Sequence, residues 1–257
     1  MIILKSSREI ALMRAGGRIL AELMQQLKTF VKPGISTLEI DREVEAFILS
    51  RDAQPAFKGY RGFPATVCVS INEEVVHGIP SASRVVKEGD IIGLDLGCIV
   101  EGYYADAAFT QAVGEVPPRV QDLLDVTRES LYRGIAECRP GRRLGDLSHA
   151  VQQHVEAHGF SVVRAFVGHG IGTALHEDPQ VPNFGEPGRG PTLKPGMVLA
   201  IEPMVTMGSH EVRILSDRWT AVTEDGSLAA HFEHTVAITE AGPEILTAPG
   251  DGDAQAA

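Results

Sequence analysis

Four carboxylates and one imidazole stand where a solvated surface charge is out of place. Asp95 closes the apolar run Ile91-Ile92-Gly93-Leu94-Asp95, and Glu202 closes Val198-Leu199-Ala200-Ile201-Glu202. Asp106 and Glu233 each open an alternating, strand-like stretch, and His169 lies within Gly168-His169-Gly170-Ile171-Gly172. A carboxylate on a strand buried on both faces must be paired, protonated or bound to metal. The only bases in comparable surroundings are His169, Arg164 and Arg213, too few to neutralise four acids. Two divalent cations sharing bridging carboxylates would do so, and oxygen donors with one imidazole suit Co, Mn, Fe or Zn. Such a pair of ions activates water, polarises a carbonyl and stabilises the resulting oxyanion, which is the chemistry of hydrolysis.

Other catalytic templates fit poorly. The third glycine of a phosphate-cradling GxGxxG would fall on Thr173, no GK[ST] or GxSxG occurs, and His176-Glu177 lacks the second histidine of HExxH. The glycines around His169 read instead as a tight backbone turn that lets the imidazole reach a metal. His77 and His176 lie just ahead of Pro80 and Pro179 in loops, placed to polarise or hydrogen-bond a tetrahedral intermediate. His149, His154, His158, His210, His231 and His234 have no comparable context and receive no role.

These groups need elements to carry them. Ser6-Ser7-Arg8-Glu9 has the spacing of a capping box, followed by Ile10, Met13, Ile19, Leu20, Leu23 and Leu27 at helical intervals and a stop at Lys32-Pro33-Gly34. Ser36 and Glu39 open a second helix that buries Ile40, Val44, Phe47 and Ile48. Stretches 66–71, 91–96 and 107–113 are rich in Val, Ile and Thr, are separated by Gly, Pro and Asn, and predict strands. The pattern then returns. Val120, Leu123, Leu124, Leu131 and Ile135 make a helix ending at Arg139-Pro140-Gly141; Leu147, Val151 and Val155 make another; strands follow at 162–167, 197–201 and 234–239.

The return is a repeat. At an offset of 107, Lys32-Pro33-Gly34 falls on Arg139-Pro140-Gly141, Ile40, Val44 and Ile48 fall on Leu147, Val151 and Val155, and Asp95 falls on Glu202. At 99, His77 falls on His176; at 127, Asp106 falls on Glu233. One α+β domain is therefore expected, built from pseudo-twofold halves of about 1–114 and 115–247, each two helices followed by an antiparallel sheet, with 248–257 as a flexible C-terminal tail. Matched acids from matched strands would meet at one shared centre.

Composition narrows the partners. The chain has 257 residues, enough for a sizeable core, with a formal charge of −11 and no dense Lys/Arg run to hold nucleic acid phosphates. No membrane span or signal peptide is visible, and three cysteines without CxxC spacing fit a reducing cytoplasm.

Taken together, Ser70-Ile71-Asn72-Glu73 leading to Val76-His77-Gly78-Ile79-Pro80, Gly168-His169-Gly170-Ile171-Gly172 with His176-Glu177 and Pro179, Ile201-Glu202-Pro203-Met204, and Phe232-Glu233-His234-Thr235 resemble the type I methionine aminopeptidases, of the pita-bread fold, in their short bacterial form. The likeness runs from about Ile3 to Leu246. It implies that Asp106 and Glu233 bridge two metals, that Asp95 completes one site, and that His169 and Glu202 complete the other, Glu202 also serving as general base. His77 would contact the backbone or leaving nitrogen and His176 the oxyanion, with Phe57, Tyr60, Phe63, Cys68, Leu175 and Trp219 lining a soft apolar pocket for a methionine side chain. The implied substrates are peptides and nascent chains with N-terminal methionine and a small second residue, handled by a cytoplasmic monomer, with contact to the ribosome a further implication. Three positions depart from the pattern: Ala105-Asp106-Ala107-Ala108 lacks a hydroxyl usually found beside the second acid, His231 stands where Gln is common, and Phe57 where Cys is common. Rival readings are an Xaa-Pro aminopeptidase or prolidase, disfavoured by Glu202-Pro203 and by the lack of room for the extra N-terminal domain of those relatives, and a non-catalytic binding protein of the same fold, disfavoured by the full ligand set.

Overall fold

The structure, a computed structural model, describes residues 1–248; of the expected tail, all but Ala248 lies outside the described residues. Both capping boxes form. Ser6 N donates to Glu9 Oε2 at 2.7 Å and Glu9 N to Ser6 Oγ at 3.4 Å, opening α1 (Ser7–Phe30). Ser36 N donates to Glu39 Oε2 at 2.8 Å, opening α2 (Thr37–Ser50). Five strands follow: β1 (Gln54–Pro55), β2 (Val67–Ile71), β3 (Glu74–Val76), β4 (Ile91–Val100) and β5 (Tyr103–Ala112). The second half opens with α3 (Pro118–Ala136) and α4 (Leu144–Ala157), then β6 (Ser161–Val162), β7 (Gly168–Gly170), β8 (Glu177–Val181), β9 (Val198–Ile201) and β10 (Met204–Thr206). It ends with β11 (Val212–Ile214), β12 (Ala221–Thr223), β13 (Ala229–His231), β14 (Glu233–Thr239) and β15 (Gly242–Ile245).

The repeat is visible in the backbone. At the offset of 107, both ends of α2 fall on both ends of α4 and the start of β4 on that of β9. The isolated bridge Ser36↔Val85 falls on Arg143↔Thr192, and the bond from Gly34 N to the Val86 carbonyl on that from Gly141 N to the Leu193 carbonyl. The main sheet runs β1-β4-β5-β14-β9-β7-β8, with β2 also pairing β4 and β15 pairing β14. Read outward from the β5–β14 seam, β5, β4 and β2 on one side correspond to β14, β9 and β7 on the other.

Helices cover one face of this sheet. α1 packs on β4 and β5, and α3 reaches β5, β9 and β14. Leu94, Leu96, Ala105, Ala107, Leu199, Ile201 and Val236 meet Leu20, Leu23, Leu27, Leu123 and Leu131 in the largest apolar cluster. Small residues set the helix spacing: a Cβ on Gly16 would lie 3.2 Å from that of Ala105. The other face carries a second cluster that includes Phe57, Phe63, Cys68, Ile171 and Leu175. Two smaller sheets, β13-β10-β6 and β11-β12-β3, complete the molecule.

Two local expectations are corrected. The strand expected over 162–167 stops at Val162: β6 pairs with β10 in a small sheet, the chain then surfaces at the exposed Arg164 and Ala165, and it enters the main sheet at Gly168. The glycines flanking His169 form no turn but strand β7. A Cβ on Gly168 would lie 2.3 Å from the Ala200 carbonyl oxygen and one on Gly170 2.2 Å from that of Asp178, so close approach of the neighbouring strands requires glycine there. Among the described residues no helix is long and apolar enough to cross a membrane.

Candidate metal centre and active site

Side chains of paired residues in a ladder point to the same face, and so do residues two apart on one strand. Asp95 pairs with Ala108 on β5, and Ala108 pairs on its other edge with Glu233 of β14. Asp106 lies two residues from Ala108. Thr235, two past Glu233, pairs with Ala200, which pairs with His169 on β7. Glu202 lies two past Ala200. Register alone therefore aims Asp95, Asp106, Glu233, His169 and Glu202 at one face, around the small Ala108 and Ala200. Cys68, paired with Asp95, joins them.

The seam needs help, since β5 and β14 share only two residue pairs. Two threonines extend it. Thr235 Oγ1 accepts from Asp106 N at 3.0 Å and donates to the Asp106 carbonyl at 2.7 Å, while Thr110 Oγ1 serves the His231 backbone in the same way at 2.9 and 2.9 Å. Thr235 thus steadies Asp106 from the facing strand where the Ala105-Asp106-Ala107-Ala108 segment offers no hydroxyl. Asn183, fully buried, donates to the Glu202 carbonyl at 2.9 Å.

His169 Nδ1 faces the Gly170 carbonyl at 3.0 Å; a carbonyl only accepts, so Nδ1 carries the proton and the Nε2 lone pair faces the acids. Nε2 lies 3.6 Å from Glu202 Oε1 and 3.8 Å from Asp106 Oδ2, beyond hydrogen-bond range. Asp95 Oδ1, Asp106 Oδ1 and Glu233 Oε1 are buried with no hydrogen-bond partner among the described residues. Burial drives these acids toward the neutral form, taking Asp95 up to about 6 and Glu202 to about 8. Asp106 and Glu233 are pushed well above the carboxylate range, by burial and then by the neighbouring acids. Burial takes the other way the imidazoles of His169 and His77, both down to about 4, so they are neutral. Orphaned acid oxygens facing a free imidazole lone pair are what a multivalent cation requires, and among the described residues no cationic side chain fills that place. Arg164 and Arg213, considered above as counter-charges, are both exposed, Arg164 stacking on Phe184 instead. Asp106, His169 and Glu233 each offer a ligand atom within 4.8 Å of the others, and so do Glu202, His231 and Glu233.

Asp95, Asp106, Glu202 and Glu233 open into a cavity of about 170 Å³, lined also by Phe57, Tyr60, Phe63, Cys68, Leu175 and Trp219 with His77 and His176. It is well below the roughly 300–1,000 Å³ of sites for drug-sized ligands and suits one side chain. A Cβ on Gly97 would lie 2.5 Å from the Phe57 ring, so a glycine opposite Asp106 leaves Phe57 its place. Tyr60 stacks on His176, with its hydroxyl 2.8 Å from Nδ1, and the His176 and His169 rings are 4.2 Å apart. His77 stands edge-on to Phe166 and Trp219.

The structure also brings in residues to which the sequence reading gave no role. Arg61 sits at the cavity, Asn183 under Glu202 and Thr235 beneath Asp106. His231 places Nε2 3.6 Å from Glu202 Oε2. A signal for it was present: it shares the parity of Glu233 and Thr235.

Comparison with known proteins fits this geometry. The model of metallopeptidase family M24 matches residues 11–240. Methionine aminopeptidase 1 of Bacillus subtilis is 57% identical over 247 residues, covering 96% of this chain and 99% of its own. The crystal structure of methionine aminopeptidase from Thermotoga maritima superposes with a TM-score of 0.95 at 49% identity, covering 96% of this chain and 100% of that one. Prolidase from Pyrococcus furiosus shares the fold at a TM-score of 0.78 and 23% identity, but this chain, 96% covered, spans only 66% of it.

Proposed function

The chain belongs to metallopeptidase family M24 and has its pita-bread fold, and we propose on that premise that it is a methionyl aminopeptidase, removing N-terminal methionine from peptides and nascent chains. The observation that carries the reading is the convergence of Asp95, Asp106, Glu202, Glu233 and His169 on one face, the four acids forming one wall of a small cavity whose other walls include Phe57, Phe63, Leu175 and Trp219. High identity over nearly the whole length of relatives named methionine aminopeptidase supports this activity over the prolidase alternative.

The acid set fits two divalent ions, which Asp106 and Glu233 would share, with Asp95 completing one site and His169 and Glu202 the other; when bound, such ions would supply Lewis acidity and lower the pKa of water. Mn, Fe, Co and Zn all suit these donors. The remaining work falls to the protein. The carboxylate form of Glu202 would accept the proton of the attacking water and return it to the leaving amine, burial raising its proton affinity. The Tyr60 hydroxyl lies 2.8 Å from His176 Nδ1; in the tautomer in which it donates there, the ring carries its proton on Nε2, from which it can donate to a developing oxyanion. His77, held neutral and wedged between aromatic rings, is placed to hydrogen-bond the substrate backbone or leaving nitrogen. Phe57, Phe63, Cys68, Leu175 and Trp219 offer the polarisable apolar surroundings that a thioether prefers.

Both halves of the site come from one chain, in keeping with a monomer, and Cys68, Cys98 and Cys138 are free and buried, in keeping with a reducing cytoplasm. The test is hydrolysis of Met-Ala-Ser against an Ala-Pro peptide, with and without EDTA. EDTA-sensitive release of methionine from the first is expected. Preference for the Ala-Pro peptide would favour the prolidase reading, and no release from either would favour a binding protein.

A further inference from the structure

His231 ends β13 at a crossing of the two sheets. The chain leaves the main sheet at Glu202 for β10 and re-enters it at Glu233 from β13, with Met204 paired to His231. The two passages lie side by side, which sets the imidazole against the Glu202 carboxylate. The His231 backbone is locked in both directions by Thr110 Oγ1 at 2.9 Å, so the ring is anchored from outside the acid cluster.

The side chain is 5% exposed, and Nε2 has no hydrogen-bond partner among the described residues. Its nearest acid oxygen, Glu202 Oε2, lies at 3.6 Å, too far for a hydrogen bond. Two donor atoms about 2.0–2.1 Å from one tetrahedral ion are separated by about 3.4 Å. The separation therefore matches two ligands of a shared cation. On the opposite side, Glu202 Oε1 stands at the same 3.6 Å from His169 Nε2, so the carboxylate is flanked by an imidazole nitrogen at each oxygen. Nε2 of His231, one oxygen of Glu202 and one of Glu233 lie within 4.8 Å of one another.

We propose that His231 is a metal ligand: its Nε2 supplies a second imidazole donor, besides His169, for the ion held by Glu202 and Glu233. The inference deepens the proposed function and rests on it. It adds a nitrogen ligand where the ligand set implied by the family resemblance has only His169, and so favours borderline ions such as Co and Zn over Mn.

The test uses metal-free protein titrated with Co(II), read by proton NMR. A histidine ligated through Nε2 shows a hyperfine-shifted Nδ1 proton that vanishes in D₂O. Two such signals are expected at saturation, one lost in His231→Gln and the other in His169→Gln, with the affinity of one cobalt reduced by about 10-fold or more in His231→Gln. The wild-type count needs no variant to fold. One signal in the wild type, with two cobalt ions bound, would overturn the ligand assignment and leave the proposed function standing. Two signals both surviving His231→Gln would overturn it as well, handing the second site to His77 or His176. Absence of cobalt binding would overturn both the inference and the dinuclear reading beneath it.

Discussion

Asp95 and Glu233 belong to different halves of the chain yet face the same residue, Ala108, from its two edges. One alanine of β5 thus holds two carboxylates in register, with Asp106 two residues away on the same strand. Strand parity makes the consequence unavoidable: three acids share a face, and His169 and Glu202 are carried onto it through Thr235 and Ala200. Neutralising that face is the central physical problem of the molecule, and the predictions below follow from it.

Replacing Glu202 by Gln keeps size and packing while removing the proton acceptor. Turnover should fall by about 10²–10⁴, with a melting temperature within a few degrees of the parent. Steady-state kinetics beside a thermal melt checks this, and a kcat near the parent value would remove Glu202 from the role of base.

Metal uptake should release protons. Asp95, raised to about 6, and Glu202, raised to about 8, stay protonated in the metal-free fold at pH values where the unfolded chain, with carboxylates near 4, has given its protons up. Raised folded values mean that the stability these acids lend the metal-free fold is present at low pH and fades as pH climbs through about 8. A cation must displace those protons, so its affinity rises between about pH 6 and 8, and the upshift in Tm on adding Co(II) is larger at pH 8 than at pH 5.5. His169, neutral above about 4, adds nothing in that window. Calorimetry in buffers of different ionisation enthalpy measures the release directly, and a slope of zero at pH 7 would contradict the account.

Gly97→Ala tests the pocket wall. The added Cβ would meet the Phe57 ring at 2.5 Å. Overpacking of this kind costs roughly 1–3 kcal/mol, and displacement of the ring should raise KM for methionyl peptides more than it lowers kcat. An unchanged Tm and KM would show that Phe57 has free space.

Lys5 and Glu177 form an ion pair at 2.5 Å whose side chains are only 3% and 7% exposed. Glu177 follows His176 directly, so the pair ties the N-terminal segment to that loop. Lys5→Met strands a buried carboxylate and should destabilise by roughly 3–5 kcal/mol, most of it recovered in Lys5→Met/Glu177→Met. A double-mutant cycle in urea decides, and additive losses would mean that the pair contributes no coupling.

Much of this was legible in the residues. Ser6 with Glu9 and Ser36 with Glu39 announce two helix starts, because capping is a local interaction three residues long. The offset of 107 relating Asp95 to Glu202 was readable because both halves kept the same spacing from helix to strand. What stayed hidden depends on contacts distant in sequence. The glycines beside His169 answer to carbonyls of Ala200 and Asp178 on adjacent strands rather than to a turn. The stretch after Val162 is apolar enough for a strand, but past the bond from Val163 N to the Met204 carbonyl it surfaces at Arg164 and Ala165. His231 gains its place from Thr110 and Glu202, distant along the chain, and a lone histidine reveals neither.

The claim on which the rest depends is that paired cations make the shared acids tolerable. Crystals grown with Mn(II) and measured above and below the manganese absorption edge test it at the atoms themselves. Two anomalous peaks are predicted, both touching Asp106 and Glu233, with Asp95 on one and His169 and Glu202 on the other, and their loss is expected in Asp106→Asn. An acid cluster without anomalous density, in crystals whose protein cleaves Met-Ala-Ser at full rate, would contradict the account.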